Sequence, residues 1–233
     1  MEKKSKIIVV CGPTATGKSD YAVELAKKIG GEVISADSRQ VYKGLDIGSG
    51  KITKKEMKAV SHHLLDVANP KRVFTVTQYK KLADKAIKDI LKRGKVPIIC
   101  GGTGFYIDAV VYDQDFPKVK PDKTLRKQLS SKSPAELFEM LESLDPDRAQ
   151  EIDRHNKVRL IRAIEIAKSL GSVPKINKIS KYDVEWIYLD FLDEVLKKRI
   201  HDRLIKRMKI GMSKEVQNLH ASGISWKRLE SLG

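Results

Sequence analysis

Gly12, Pro13, Thr14, Ala15, Thr16, Gly17, Lys18 and Ser19 have the spacing of a phosphate-binding loop, with lysine and serine directly after the second glycine. Glycines let the backbone wrap a phosphate, and successive N–H groups then point inward. A helix opening at the loop adds partial positive charge. Lys18 can reach terminal phosphate oxygens, and the Ser19 hydroxyl can ligate Mg²⁺. The spacing specifies a diphosphate or triphosphate without naming the rest of the molecule. A second candidate is Asp37, in the run Ser35, Ala36, Asp37, Ser38, Arg39, Gln40. It could act as a base or hydrogen-bond acceptor, and a turn-capping aspartate is the competing assignment. Trp186–Asp190 is a weaker candidate, an apolar run ending in a possible metal-binding aspartate.

These residues need a scaffold. Lys6–Cys11 is β-branched and apolar, which predicts a buried parallel strand. Ser19–Ile29 carries an apolar helical face and stops at Gly30. Further elements are expected as a strand over Glu32–Ala36, a short strand over Leu64–Val67 and a helix over Thr77–Arg93. A strand over Val96–Cys100 and a helix within Gly101–Tyr112 complete this stretch. Strands alternating with helices predict an α/β fold, a P-loop NTPase-like parallel sheet flanked by helices. Residues 115–182 differ, with helices near 122–131, 134–143 and 156–169, and are expected to form a helical insertion domain. The core is then 1–114 and 183–233, closed by a strand over Val184–Phe191 and a basic helix over Asp193–Met212.

The sheet edge reached by the strands' carboxyl ends faces the ligand crevice in such folds. Asp37 comes after the second strand and is expected to stand near the phosphate loop. On a helix turning roughly 100° per residue, Leu196, Ile200, Leu204 and Met208 form an apolar stripe. Arg199, Arg203 and Arg207 fall along one margin of it. A charge at a buried margin needs an anionic partner, and for Arg207 the expected partner is a carboxylate.

The chain has 233 residues, 46 Lys plus Arg against 30 Asp plus Glu, and a net charge of +16. A hydrophobic fraction of 41% is enough for a core and excludes wholesale disorder. No apolar run has the length of a membrane span, and the run Ile7–Val10 is too short for a signal peptide. Cys11 and Cys100 cannot form a disulfide framework and are expected as buried thiols in a reducing cytoplasm. The positive charge points to a polyanionic partner. Lys118, Lys120, Lys123, Arg126, Lys127 and Lys132 concentrate it around Asp122.

Five ordered motifs carry a resemblance. They are the phosphate loop; Ile34–Gly48 with its Ser35, Asp37, Ser38, Gln40, Val41 and Tyr42; the His62, His63, Leu64, Leu65, Asp66 run; Gly101, Gly102, Thr103; and Asn156, Arg159, Arg162, Glu165 with Lys198, Arg199, Arg203 beyond them. In this order they resemble the tRNA dimethylallyltransferases, also called tRNA isopentenyltransferases, over nearly the whole chain. The resemblance implies transfer of a dimethylallyl group from dimethylallyl diphosphate to N6 of adenosine 37, beside the anticodon. An isopentenyltransferase acting on AMP, ADP or ATP and a P-loop small-molecule kinase are the alternatives.

It also implies roles. Gly12, Thr14, Ala15, Thr16, Gly17, Lys18 and Ser19 would bind the diphosphate, with Mg²⁺ on Ser19. Asp37, Thr103, Arg159 and Arg203 would serve catalysis. Asp37, Ser38, Arg39, Gln40, Thr103, Arg126, Arg159 and Arg162 would contact the tRNA anticodon loop, whose adenine must leave its stack. The enzyme is expected to be a cytoplasmic monomer of bacterial type that does not engage a membrane. Three departures stand out: Asp193 where the family often has arginine, Gly48–Lys51 reading Gly-Ser-Gly-Lys for the commoner Gly-Thr-Ala-Lys, and a short C-terminus. Against the family the chain is expected to lack C-terminal helices, and so to bind diphosphate while being impaired on tRNA.

Overall fold

A computed structural model describes residues 4–175 and 178–232. Expectations placed on Met1–Lys3 and on Gly233 lie outside the described residues. Five parallel strands form one sheet: β1 (Lys6–Cys11), β2 (Gly31–Ser35), β3 (His62–His63), β4 (Val96–Cys100) and β5 (Asp183–Tyr188), in the order β3-β2-β4-β1-β5. Both faces of the central strands are covered, which is why β1 and β4 read as continuous apolar runs. On one face Ile8, Val10, Val33 and Ile98 pack against Ala22 and Ala26 of α1 (Lys18–Ile29). On the other, Ile7, Val9, Ile34 and Ile99 meet Tyr79, Ala83 and Ile87 of α2 (Val76–Lys92) and Ile107 and Val110 of α3 (Gly104–Val111). α2 begins at a reciprocal cap, Thr75 with Gln78.

The chain divides into two compact units, 1–114 with 178–233, and 115–177. The boundary therefore falls at 177, not 182. Lys181 explains the difference: its ammonium pairs with Asp84 at 3.0 Å and Asp113 at 2.8 Å, and Tyr182 packs on the core beside α2 and α3. The second unit holds α4 (Lys123–Ser130), α5 (Pro134–Leu144), α6 (Pro146–Glu151) and α7 (Lys157–Leu170) around Leu129, Leu137, Leu141, Leu160 and Ile164. The six-residue α6 has no counterpart among the expected helices; Asp145 caps it through the Arg148 N–H at 3.0 Å.

The strand expected over Leu64–Val67 does not form there. Leu64 and Asp66 take φ of 66° and 55°, which no strand can continue through. Pairing is instead at His62 and His63, against Val33 and Ile34. The long basic helix also breaks. α8 (Asp193–Lys209) ends before Gly211, whose φ of 106° turns the chain into α9 (Met212–Ala221), and α10 (Trp226–Leu232) comes last. No helix among the described residues is long and apolar enough to cross a membrane.

Candidate functional site

Strand register assembles the site. Val10 and Ser35 both pair with Cys100, and Cys11 pairs with Tyr188, so β1, β2, β4 and β5 end level. The segments leaving these strands therefore meet one another: the phosphate loop after β1, Asp37 after β2 and Thr103 after β4. The level ends are locked together. The Ala36 N–H donates to the Cys100 carbonyl, that of Gly101 to Val10, and that of Leu189 to Cys11, at 2.8, 3.1 and 2.9 Å. Two glycines permit this closeness. A Cβ on Gly12 would stand 2.0 Å from the Leu189 oxygen, and one on Gly101 2.2 Å from that of Ala36.

The loop itself carries left-handed backbone at Ala15, with φ of 67°, and at Gly17, with φ of 82°. Thr16 is buried and its hydroxyl donates to the Pro13 carbonyl at 3.0 Å. Lys18 folds back over the loop, donating to the Pro13 carbonyl at 2.5 Å and reaching Thr16 Oγ1 at 3.5 Å. Burial pulls its pKa below the ordinary lysine value; Cys100 and Asp37 oppose that, and Arg203 adds to it. An ammonium so placed gains by meeting an anion. Ser19 lies in the first turn of α1, half-buried. Burial pushes the Cys100 thiol up to about 12. Cys11, expected to be buried, is half-exposed at the end of β1.

Asp37 takes the turn-capping role. Its Oδ1 accepts the N–H of Arg39 at 2.8 Å and of Gln40 at 3.3 Å, capping its own turn. Among the described residues these hydrogen bonds fall on one oxygen, which leaves Oδ2 for a substrate donor. Thr103 clamps the two loops: its N–H donates to the Ala36 carbonyl and its Oγ1 accepts the Ser38 N–H at 3.0 Å. Because that oxygen accepts, its proton remains to be donated. Gln40 donates to the Gly50 carbonyl at 3.3 Å and Arg39 to that of Ser231 at 2.9 Å. Thr14 is exposed at the tip of the loop.

Beside the loop lies a cleft of about 360 Å³, lined by Gly12, Gly101, Ile107, Asp108, Trp186 and Tyr188 among others. Burial raises the Asp108 pKa, and Lys178 opposes the shift. Sequence reasoning passed over this cleft, since Trp186 and Tyr188 read there only as strand residues. Asp190, the weak metal candidate, accepts the N–H of its neighbour Phe191 at 2.8 Å. Among the described residues no cluster of three or more His, Cys, Asp or Glu is disposed to hold a metal ion.

α8 covers the loop with its arginines, not with its apolar stripe. Leu196 is buried, but Ile200, Leu204 and Met208 are 45 to 47% exposed, whereas Arg203 and Arg207 are half-buried. Arg203 and Arg207 each fall within about 20° of Leu196, one on either side of it, and that is the face turned inward. Arg199 reaches the Ala15 carbonyl at 3.4 Å and stacks over Phe191. The carboxylate expected for Arg207 is absent among the described residues; it donates to the Gly48 carbonyl at 3.2 Å.

In the helical unit, Arg126 and Arg162 converge on Glu165. Arg126 donates through Nε and Nη2 at 2.7 and 2.6 Å, and Arg162 through Nη1 at 3.1 Å. Burial works to raise the Glu165 pKa, but Arg126, the Asp122 N–H and Arg162 together lower it. Arg126, expected as an RNA contact, pairs with Glu165 and keeps 43% of its side chain exposed. Arg159 is exposed, in the first turn of an α7 capped by Asn156.

Comparisons with known proteins agree with one another. The family model for IPP transferases matches residues 40–233. The chain is 43% identical to tRNA dimethylallyltransferase 2 of Treponema denticola, over 100% of this chain and 80% of that protein. It is 42% identical to the tRNA dimethylallyltransferase of Anoxybacillus flavithermus, covering 94% and 72%. Among solved structures, the tRNA isopentenylpyrophosphate transferase of Bacillus halodurans superposes with a TM-score of 0.70 at 38% identity, covering 96% of this chain and 72% of that one. A eukaryotic dimethylallyltransferase acting on tRNA superposes with a TM-score of 0.81 at 29% identity, covering 94% and 56%.

Proposed function

The chain belongs to the IPP transferase family, and from that premise we propose that it transfers a dimethylallyl group from dimethylallyl diphosphate to N6 of adenosine 37 in tRNA. The observation that carries the proposal is the level ending of β2, β4 and β1. It supports a site in which Asp37 and Thr103 serve an amine nucleophile while the neighbouring loop holds a diphosphate.

In this reading N6 attacks C1 of the allylic substrate. The C1–N6 bond forms, the C1–O bond breaks, and diphosphate leaves with the electron pair. Lys18, the loop N–H groups and Arg203 take up the charge that grows on the leaving group, a contribution that often dominates catalysis. Asp37 accepts the N6 proton through Oδ2, held in aim by the two N–H groups on Oδ1. The Thr103 hydroxyl donates to a substrate oxygen. Ile107, Trp186 and Tyr188 offer the branched hydrocarbon an apolar wall.

Mg²⁺ suits this donor set, since it keeps most of its waters and takes few protein ligands beside phosphate oxygens. Ser19 would hold it, and its chemistry would be to neutralise diphosphate charge. Arg126, Arg159 and Arg162 remain candidates for the tRNA, with Ser38, Arg39 and Gln40 reading the anticodon loop. The two free thiols, Cys11 and Cys100, accord with a cytoplasmic location.

The test supplies radiolabelled dimethylallyl diphosphate with tRNA, AMP or ATP as acceptor. Label in tRNA, confined to loops with adenosines at 36 to 38, is the expected result. Label in AMP, or ATP turnover without prenyl transfer, overturns it.

A further inference from the structure

Arg203 and Arg207 converge on Gly50. A Cβ built on this glycine would stand 3.0 Å from Arg203 Nη2 and only 1.6 Å from Arg207 Nη2. Gly50 also has φ of 61°, a left-handed backbone that favours glycine. The segment carrying Gly50 is fixed from two sides. The Glu215 carboxylate, on α9, accepts the N–H groups of Asp46, Ile47 and Gly48 at 2.9, 2.7 and 2.9 Å. Lys51, its side chain 6% exposed, pairs with Asp46 and Asp66 and donates to the Tyr42 carbonyl at 2.8 Å.

Two guanidinium groups this close repel each other. Among the described residues neither has a carboxylate at ion-pair distance. Burial and then Arg203 hold the Arg207 pKa below the usual arginine value, and the acids that oppose this are Asp37 and Glu215. Lys18 in turn feels the charges of both Asp37 and Arg203. Lys18, Arg203 and Arg207 are therefore one cluster of cations beside the phosphate loop. A face built this way is unfavourable empty and favourable with a multiply charged anion. Guanidinium groups bind phosphoryl oxygens through paired N–H donors.

We propose that Arg207 is a further diphosphate-binding residue, a second guanidinium admitted past Gly50 to grip phosphoryl oxygens beside Arg203 and Lys18. The proposal rests on the proposed function, in which the loop holds a diphosphate. Its consequence is that Gly50 and Arg207 act as a pair: filling the space at 50 displaces the guanidinium tip without removing it.

The experiment titrates inorganic diphosphate into the full chain by calorimetry, for wild type, Arg207→Met, Arg207→Lys and Gly50→Ala. Arg207→Met should weaken diphosphate binding roughly tenfold to a hundredfold, the range of a charge-assisted hydrogen bond. The ligand-free melting temperature should hold or rise, because a like-charge contact is gone. Arg207→Lys should recover part of the affinity. Gly50→Ala should weaken binding as Arg207→Met does, and the double variant should be no worse than either single one.

Unchanged diphosphate binding in Arg207→Met, with a lowered melting temperature, would make Arg207 a strut for the Gly48 carbonyl and overturn the proposal. Unchanged diphosphate binding with weakened binding of an anticodon stem-loop would assign the guanidinium to an RNA phosphate, and overturns it equally. If wild type takes no diphosphate, the proposed function falls as well; if wild type binds and Arg207→Met binds equally, only this inference falls.

Discussion

Glu165→Gln separates a structural Arg126 from one held ready for RNA. Glu165 keeps 1% of its side chain exposed and receives four donors: Arg126 Nε, Arg126 Nη2, Arg162 Nη1 and the Asp122 N–H. Glutamine retains the shape but removes the charge, and its amide puts N–H groups opposite guanidinium donors. Two charge-assisted hydrogen bonds are lost, each worth about 1.5–3 kcal/mol when buried. Arg126 and Arg162 are 43% and 33% exposed, so water recovers part of that. The net cost should be about 2–3 kcal/mol. Urea unfolding measures it, and hydrogen exchange should place the loss at the amides of α4 and α7. The sign with pH comes from the lowered Glu165 pKa. The stabilisation is fully present above 4.5, the ordinary glutamate value, and is lost as pH falls toward the depressed one. The variant should lose this acid dependence. A variant within about 0.5 kcal/mol of wild type, with the same acid limb, would show that Glu165 does not hold the two arginines.

Two further outcomes concern the phosphate-loop edge. Asp37→Asn keeps an oxygen for the Arg39 and Gln40 N–H groups, so its melting temperature should match wild type while prenyl transfer falls by roughly a hundredfold or more; wild-type turnover would remove Asp37 from the proton transfer. Lys18 has a pKa below 10.5 in the free enzyme and binds anions as the ammonium. Diphosphate affinity, corrected for the anion's own ionisation, should begin to fall on the alkaline side before pH 10.5. Lys18→Arg should carry that limb out of range; an identical limb in the variant would refute the assignment.

Short-range spacing carried much of this protein. The phosphate loop, the apolar runs of β1 and β4, and the stop at Gly30 are all local, because helix, strand and turn preferences act over a few residues. The same spacing, read as a resemblance, was enough to point to the family. It was not enough for α8, where the apolar stripe looked like the buried face. Only packing revealed that Arg203 and Arg207 turn inward, since which side of an amphipathic helix is covered depends on what stands beside it. Glu165 was legible as part of a motif, but its partner Arg126 lies 39 residues away. Glu215 and the backbone it grips are 167 to 169 residues apart. Sequence by itself determined the chemical groups and the local elements that carry them. Tertiary structure alone decided which charges face one another, because strand order and register, rather than distance along the chain, bring them to one edge of the sheet.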